Sequence, residues 1–309
     1  MTHKSAVAVE AMKDWGWKLF RTTLIIGIGY IIVYPILLKV SLALRGRQDI
    51  YDQTIIWFPK HPTMENFLFV LERMKYWDSL LNTLSISTMA AVLQMASCAL
   101  AGYGFARLRF KGQGILFILV VFTIIVPPQT IMIPTYMHYR FFDVFGLVEL
   151  FTGRPGVNLL DTKWPFVLAS LTATGLKNGL YIYIFRQFFR SLPNEIEEAA
   201  LVDGAGVFRT FWRVMLPNAM PAIVTVVLFS FVWQYNDSFY VSMYLTDTKV
   251  LSMQLAALPG LLSTNSPEYV LTSVRLNAGI VMVILPLVLL YLLLQKQFVE
   301  SVERSGIVG

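Results

Sequence analysis

The sequence predicts an all-α fold: a polytopic membrane helix bundle of six transmembrane helices with both termini cytoplasmic. Three observations carry that prediction. Of 309 residues, 56% are hydrophobic and only 14% are charged, against about 45–50% and about 25% in soluble domains. Too few charges remain to dress a soluble surface, and the mean hydropathy of +0.61 agrees. Several apolar stretches are long enough to cross a hydrocarbon layer about 30 Å thick, which takes about 20 helical residues. None shows the short alternating segments, about 10 residues each, of a membrane barrel.

The first stretch runs from about Leu24 to Leu44. Ser41-Leu42-Ala43 imitates a signal-peptidase site, but a signal core spans only about 7–15 apolar residues, so a retained helix is expected. The second runs from about Leu80 to Ala106, its Ala96, Ser97, Ala99, Ala101, Gly102 and Gly104 suited to close packing. The third, about Ile115 to Met137, holds Pro127, Pro128 and Pro134; each removes a backbone donor, so a bend is expected. The fourth runs from about Trp164 to Phe189, the fifth from about Ala219 to Tyr240 and the sixth from about Leu276 to Phe298.

Orientation follows the lysines and arginines. Across all segments their bias is weak, and the short Arg107–Lys111 loop decides. It carries Arg107, Arg109 and Lys111 with no acid, and short loops weigh most. That loop and both termini are therefore expected inside. The formal net charge of +6 then lies mainly on the cytoplasmic face, where anionic lipid is its partner, and no nucleic acid is expected.

Three regions are expected. Residues 1–79 hold an N-terminal cytoplasmic segment, the first helix and a long extracytoplasmic loop. Residues 80–299 form the transmembrane core, and 300–309 a cytoplasmic tail. The outer segments Arg45–Ser79 and Tyr139–Lys163 are long enough to receive a partner, although plain linkers read equally well. No internal repeat is visible.

Catalytic chemistry finds little support. Cys98 is the single cysteine, so no intrachain disulfide or thiolate-rich metal site exists. His3, His61 and His138 are scattered, and neither a phosphate-cradling glycine loop nor a nucleophile elbow occurs. The chain is expected to be no enzyme and to bind no metal or cofactor. Its energy would come from another chain or from a gradient.

One cytoplasmic segment, residues 191–217, has an organisation that spanning does not require. Asn194 is a good helix N-cap, and Glu197 three residues later completes a capping-box pattern. Glu195, Glu197 and Glu198 suit the positive end of the helix they open. Ala199 and Ala200 present almost no side chain, so another surface can approach the backbone closely. Gly204 permits the left-handed residue that ends the helix. Phe208, Phe211, Trp212 and Met215 then form one apolar stripe at i, i+3, i+4 and i+7. Such a stripe suits an interfacial hairpin resting on lipid, but that reading leaves the acidic, alanine-bearing first helix unexplained.

The run Glu198-Ala199-Ala200-Leu201-Val202-Asp203-Gly204-Ala205, followed by Met215-Leu216-Pro217, resembles the EAA loop of permease subunits in binding-protein-dependent ABC importers. Arg186-Gln187-Phe188-Phe189-Arg190-Ser191-Leu192-Pro193, Val232-Trp233-Gln234-Tyr235-Asn236-Asp237 and Ala101-Gly102-Tyr103-Gly104-Phe105-Ala106-Arg107 are similar to the carbohydrate-uptake branch, in its maltose-type second permease subunit. The likeness spans roughly Ser79 to the C-terminus; the segments Arg45–Ser79 and Tyr139–Lys163 match less well. It implies a multi-pass subunit of a prokaryotic cytoplasmic (inner) membrane. The partners it implies are a second permease in a heterodimer, two ATPase subunits or domains that bind ATP-Mg, and an extracytoplasmic solute-binding protein delivering a sugar or oligosaccharide. The helix around Glu198–Asp203 would be a coupling helix seated in an ATPase cleft, with Glu195, Glu198, Ala199, Ala200, Asp203, Gly204, Ala205, Leu216 and Pro217 as the coupling residues. ATP-driven closure would move that helix as a lever and switch the pathway between inward- and outward-facing states.

Polar residues inside the spans are the candidates for the substrate pathway. Lys177 and Asn178 fall within the fourth stretch, between Gly175 and Gly179. A cation at that depth is expensive and faces a cavity or a partner, and glycines four apart admit a neighbouring helix. Snorkelling, or pairing with a neighbour, is an alternative for Lys177. Trp233, Gln234, Asn236 and Asp237 offer an aromatic platform with amides and a carboxylate; helix–helix hydrogen bonding explains them equally well. Gln129, beside the proline bend, is a further lining candidate. Two other functions remain: a gradient-driven secondary transporter, with Lys177 as its main titratable group, and an ABC permease for a non-sugar solute. An intramembrane enzyme lacks any nucleophile–base or metal set.

Overall fold

A computed structural model of the chain describes residues 3–144, 146–153, 155–263 and 269–306. The expected tail 300–309 therefore lies partly outside the described residues. Regular structure in them is helical, apart from two isolated bridges, Arg45–Pro62 and Phe142–Val157. In chain order the helices are α1 (His3–Ala43), α2 (Glu65–Arg73), α3 (Tyr76–Arg107), α4 (Gln113–Ile125), α5 (Met132–Arg140), α6 (Leu147–Thr152), α7 (Trp164–Leu171) and α8 (Asn178–Ser191). They continue with α9 (Asn194–Val202), α10 (Val207–Thr210), α11 (Leu216–Asn218), α12 (Met220–Tyr235), α13 (Phe239–Tyr244), α14 (Leu251–Ser263) and α15 (Tyr269–Gly306).

Three helices are continuous and apolar enough to cross a membrane: Lys13–Ala43 in α1, Tyr76–Arg107 in α3 and Leu271–Gln295 in α15. Counting each bent pair as one span raises the number to five, so the described residues do not form six unbroken spans. The third expected span is α4 joined to Pro128–Arg140 at 105°, and the break falls at Pro127 and Pro128, where donors are missing. The fifth is shorter than expected. Here α12 stops at Tyr235, and it meets the preceding Val207–Asn218 segment at 79°.

The fourth expected span is two helices, α7 and α8, separated by residues 172–177. Ala173 and Lys177 there take φ of 55° and 61°, a region that costs a side-chain-bearing residue energy and holds only where surroundings fix it. Those surroundings are visible. The Asn178 side-chain oxygen, with its amide oriented to suit its neighbours, accepts from the backbone N–H groups of Gly175 (3.1 Å) and Thr174 (3.2 Å). Gln94 of α3 donates to the Leu176 carbonyl at 3.3 Å. A helix read from hydropathy alone has no way to register these side-chain bonds.

The chain divides into two compact units. One comprises residues 1–73 and 257–285. Within it, Asn66 of α2 donates to the carbonyls of Ala43 and Arg45, both at 2.9 Å, satisfying one orphan acceptor at the end of α1 and one just beyond it. The loop that follows is ordered by its own polar groups: Asp49 accepts from the His61 backbone N–H at 2.8 Å, and Arg45 donates to the Ile55 carbonyl at 2.7 Å. The Arg45–Ser79 segment is thus folded structure over much of its length.

The second unit comprises residues 74–256 and 286–309 and is organised around α3. Its inner core joins Cys98, Ala99 and Tyr103 of α3 to Tyr181, Ile182, Phe185 and Phe189 of α8, with Phe211, Met215 and Val226 closing it. A second cluster, including Ile86, Tyr139, Phe166 and Tyr244, fills the other end. Gly102 is what lets α3 and α8 meet: a Cβ there would lie 2.5 Å from Phe185 Cβ and 3.0 Å from the Arg186 backbone nitrogen. Backbone cannot swing aside as a side-chain tip can, so Gly102→Ala is expected to destabilise this unit by about 1–3 kcal/mol through overpacking. A lowered thermal midpoint of the purified protein would register the loss; an unchanged midpoint would mean that α3 and α8 separate freely.

Candidate functional site

The segment after α8 folds as the sequence suggests in outline and differs at its start. Pro193, extended at φ −56° and ψ 140°, precedes α9, and no side chain caps that helix. The expected Asn194–Glu197 capping box is absent because both side chains are otherwise engaged. Asn194 Oδ1 accepts from Arg107 Nη1, and Glu197 Oε1 accepts from the Tyr103 hydroxyl at 2.6 Å. Glu197 Oε2 also pairs with Arg107 Nε at 3.5 Å. The same guanidinium donates through Nη2 to the carbonyls of Phe189 (2.8 Å) and Leu192 (2.5 Å) at the end of α8.

Arg107, the last residue of α3, therefore ties three elements together: its own helix, the C-terminus of α8 and the first turn of α9. Its side chain is only 7% exposed, and that of Glu197 16%. Charge-assisted bonds of this kind, partly screened from water, are the strong ones. The bonded residues Asn194 and Glu197 stand at i and i+3, on one face of α9.

The adjoining face is bare. Glu195, Glu198, Ala199 and Val202 stand at i, i+3, i+4 and i+7, and all four are exposed, Val202 to 87%. Helix α9 ends in a Schellman motif: Ala205 N–H donates to Ala200 O and Gly204 N–H to Leu201 O, both at 3.0 Å, with Gly204 at φ 78°. Asp203 is the last helical-side residue before the turn, and it too is exposed.

The apolar stripe that follows does not lie on one surface. Residues 211–215 form a π-turn between α10 and α11, which rotates the stripe. Phe211 and Met215 are buried in the core, whereas Phe208 is 67% and Trp212 49% exposed. Phe211 packs on Tyr103 (centroids 5.1 Å apart) and Phe189 (6.2 Å), so the aromatic anchor sits beside the Arg107 clamp. Leu216 is half-buried and Pro217 exposed at the approach to α12.

The residues expected along a substrate pathway separate into structural and open ones. Gln234 and Asp237 are buried together, 3.4 Å apart, and Asp237 Oδ1 accepts from the backbone N–H groups of Phe239 (3.1 Å) and Tyr240 (3.2 Å), capping α13. Asn236 is exposed and bonds back to the Val232 carbonyl at 2.8 Å. Asn178 supports the α7–α8 break, as described above. Lys177 lies over the Trp233 ring at 4.7 Å, a cation–π contact that joins two residues named independently in the sequence. Lys177 and Asn178 line a cavity of about 600 Å³. Gln129 is exposed on the neighbouring 3₁₀ turn.

Sequence reasoning missed the role of Tyr103 and Arg107. Both lie in the quoted Ala101–Arg107 run, but nothing in their spacing discloses a partner at Glu197, more than eighty positions away. Gly179 behaves as expected of a small residue at a crossing, since a Cβ there would meet the Val120 carbonyl of α4 at 2.8 Å.

Residues 98–304 match the family described as binding-protein-dependent transport system inner membrane component. The osmoprotective compounds uptake permease protein GgtD of Synechocystis sp. is 32% identical over 292 residues, covering 92% of this chain and 90% of the relative. The melibiose/raffinose/stachyose import permease protein MelC of Bacillus subtilis is 29% identical, covering 92% and 94%. The trehalose transport system permease protein SugB of Mycobacterium tuberculosis is 25% identical, covering 95% and 97%. In fold, the chain is similar to one from the crystal structure of a bacterial ABC transporter involved in the import of the acidic polysaccharide alginate. The TM-score is 0.73 at 21% identity, covering 93% of this chain and 98% of that one.

Proposed function

The chain belongs to the family of binding-protein-dependent transport system inner membrane components, and from that membership we propose that it is one permease of a sugar-importing heterodimer driven by a separate ATPase. As a member it is a transport subunit rather than an enzyme. In this reading it crosses a prokaryotic cytoplasmic membrane six times, the fourth crossing being the broken α7–α8 pair, with both ends inside. The core 80–299 carries the pathway, and 1–79 supplies the first crossing and an outer loop. The chain itself holds no cofactor; ATP-Mg belongs to the two partner ATPase subunits or domains. An extracytoplasmic binding protein presents the sugar.

The observation that carries the proposal is the two-faced α9. Asn194 and Glu197 are held by Arg107 and Tyr103, while Glu195, Glu198, Ala199 and Val202 face outward. A helix held this firmly along one face and bare along the adjoining one suits a lever. Force applied to its outer face passes through Arg107 into α3 and through Leu192 and Phe189 into α8. Asp203, Gly204 and Ala205 shape the end that a partner cleft would grip, and Leu216-Pro217 starts the return to α12. By linkage, ATP moves the equilibrium only insofar as the ATP-bound partner prefers one permease state.

Reconstitution of the purified assembly into proteoliposomes tests this reading. Uptake of a radiolabelled neutral oligosaccharide is expected to need enclosed ATP and the binding protein. Uptake that survives ATP depletion and follows a proton or sodium gradient would replace the reading with secondary transport.

A further inference from the structure

A cavity of about 540 Å³ lies where the end of α3, the start of α4, the end of α8 and helix α9 meet. Its lining is basic: Arg107, Arg109, Arg186 and Arg190 stand against Glu197 and Glu198. Arg107 and Glu197 already pair with each other in the clamp described above, and Glu198 is exposed. Three arginines are therefore left for one carboxylate. Among the described residues, none of Arg109, Arg186 and Arg190 has an ion-pair partner. Arg186 and Arg190 stand four apart on α8, where like charges repel.

The basic wall is held in place by the protein itself. The Phe105 carbonyl accepts from Arg186 Nε at 3.2 Å and from Gln113 Nε2 at 2.9 Å. The Arg186 guanidinium lies over the Phe117 ring at 3.7 Å, which fixes its plane and leaves its Nη groups as a fork for an anion. Gln113 and Gly114 bring the first turn of α4 to the same cavity. The N–H groups of that turn have no acceptor within the helix, and no side chain caps it, so the positive end of a helix adds to the arginines. Around this basic floor the surface turns apolar. Leu108, Phe110 and Ile115 are exposed, and no residue of α4 is buried.

We propose that this cavity binds a phosphate-bearing anion, the headgroup of an anionic phospholipid, with Arg186 and Arg190 on the phosphate oxygens and the first turn of α4 as a further donor. Arginine forks match phosphate oxygens two at a time, and a part-buried guanidinium without a counter-ion is costly. A free phosphate would satisfy the arginines alone. The exposed apolar helix that rises from the same cavity gives acyl chains a place to lie, and so selects the lipid. Basic pockets between membrane helices on the cytoplasmic side suit such headgroups, and the Arg107–Lys111 loop lies on that side in the orientation proposed above. The site rests on that orientation for its source of lipid and not on the solute that is moved.

Native mass spectrometry of the complete transporter, with neither ATP nor solute present, tests it. The probes are dioleoyl phosphatidylglycerol, dioleoyl phosphatidylcholine with the same chains and no net charge, and inorganic phosphate. Phosphatidylglycerol is expected to be retained about tenfold better than phosphatidylcholine, and excess inorganic phosphate should not displace it. Gly114→Asp is the sharpest variant. Its new Cβ meets nothing within 4 Å, and an acid in the first turn suits the helix. It should therefore keep the thermal midpoint while weakening retention about tenfold. Arg190→Gln should weaken retention about fivefold, and Arg190→Lys less than about twofold. Lys111→Gln removes the same charge from the α3–α4 loop but outside the cavity lining, and should change retention less than about twofold. Equal losses in Lys111→Gln and Arg190→Gln overturn the site, since diffuse surface charge would then hold the lipid. Unchanged retention in Gly114→Asp also overturns it, as does release of a partner subunit from that complex, which would make the cavity a protein interface. Displacement by inorganic phosphate, or equal retention of the two lipids, overturns the anionic lipid as occupant. Uptake that ignores ATP would refute the import reading and leave the site standing.

Discussion

Gly204→Trp is expected to abolish ATP-driven uptake, by a hundredfold or more, while leaving the protein folded. At Gly204 a new Cβ meets nothing within 4 Å, so no side chain of this chain resists it. The left-handed φ of 78° charges any L-residue about 1–2 kcal/mol, a modest local cost at an exposed turn. What tryptophan adds is bulk at the end of α9 where a partner surface would close. Gly204→Ala separates the two effects, because it carries the backbone cost with almost none of the bulk. Gly204→Ala is expected to retain most uptake and Gly204→Trp to retain none, with binding-protein-stimulated ATP hydrolysis lost in step. Equal and mild effects from both substitutions would mean that nothing docks there.

Arg107→Ala is the second large effect. It strips the Phe189 and Leu192 carbonyls of a donor and leaves Glu197, 16% exposed, without its cation. Breaking a largely buried pair by removing one partner costs about 3–5 kcal/mol; the residual exposure of Glu197 argues for the low end. Arg107→Lys should rescue little, since one ammonium cannot reproduce a fork that reaches three acceptors at once. Tyr103→Phe removes a single hydrogen bond to a carboxylate and should cost about 1.5–3 kcal/mol. Thermal unfolding ranks the three variants. The ratio of transport to ATP hydrolysis then shows whether a looser α9 slips, consuming ATP without moving solute. A fully coupled Arg107→Ala transporter would remove α3 from the transmission path.

How far the sequence could be read depended on whether a feature is local. The membrane setting followed from composition, and the acidic helix with its glycine end followed from a contiguous run, Glu195 to Ala205. The proline bend was legible because Pro127 and Pro128 act on their own backbone. Features that depend on a distant partner were not legible. The fourth apolar stretch reads as one helix until Gln94 and Asn178 are seen bonding the backbone between α7 and α8. Asn194 and Glu197 match a capping box until Arg107 and Tyr103 claim them. The stripe from Phe208 to Met215 has perfect helical spacing, yet the π-turn sends Phe211 and Met215 inward and leaves Phe208 and Trp212 outside. Asp237 reads equally as a substrate ligand or a structural hydrogen-bond partner, and no spacing discloses that its carboxylate accepts from the Phe239 and Tyr240 N–H groups.

If the bare face of α9 is where an ATPase takes hold, site-directed cross-linking will capture the contact. Val202 is 87% exposed on that face, and the single native cysteine, Cys98, is buried, so Val202→Cys is the natural attachment point for a photoactivatable maleimide. In the complete assembly in membranes, illumination is expected to join this residue to the ATPase partner, with a yield that changes when ATP is bound. Cross-links to lipid alone, in an assembly that still holds its ATPase and still transports, would contradict the claim.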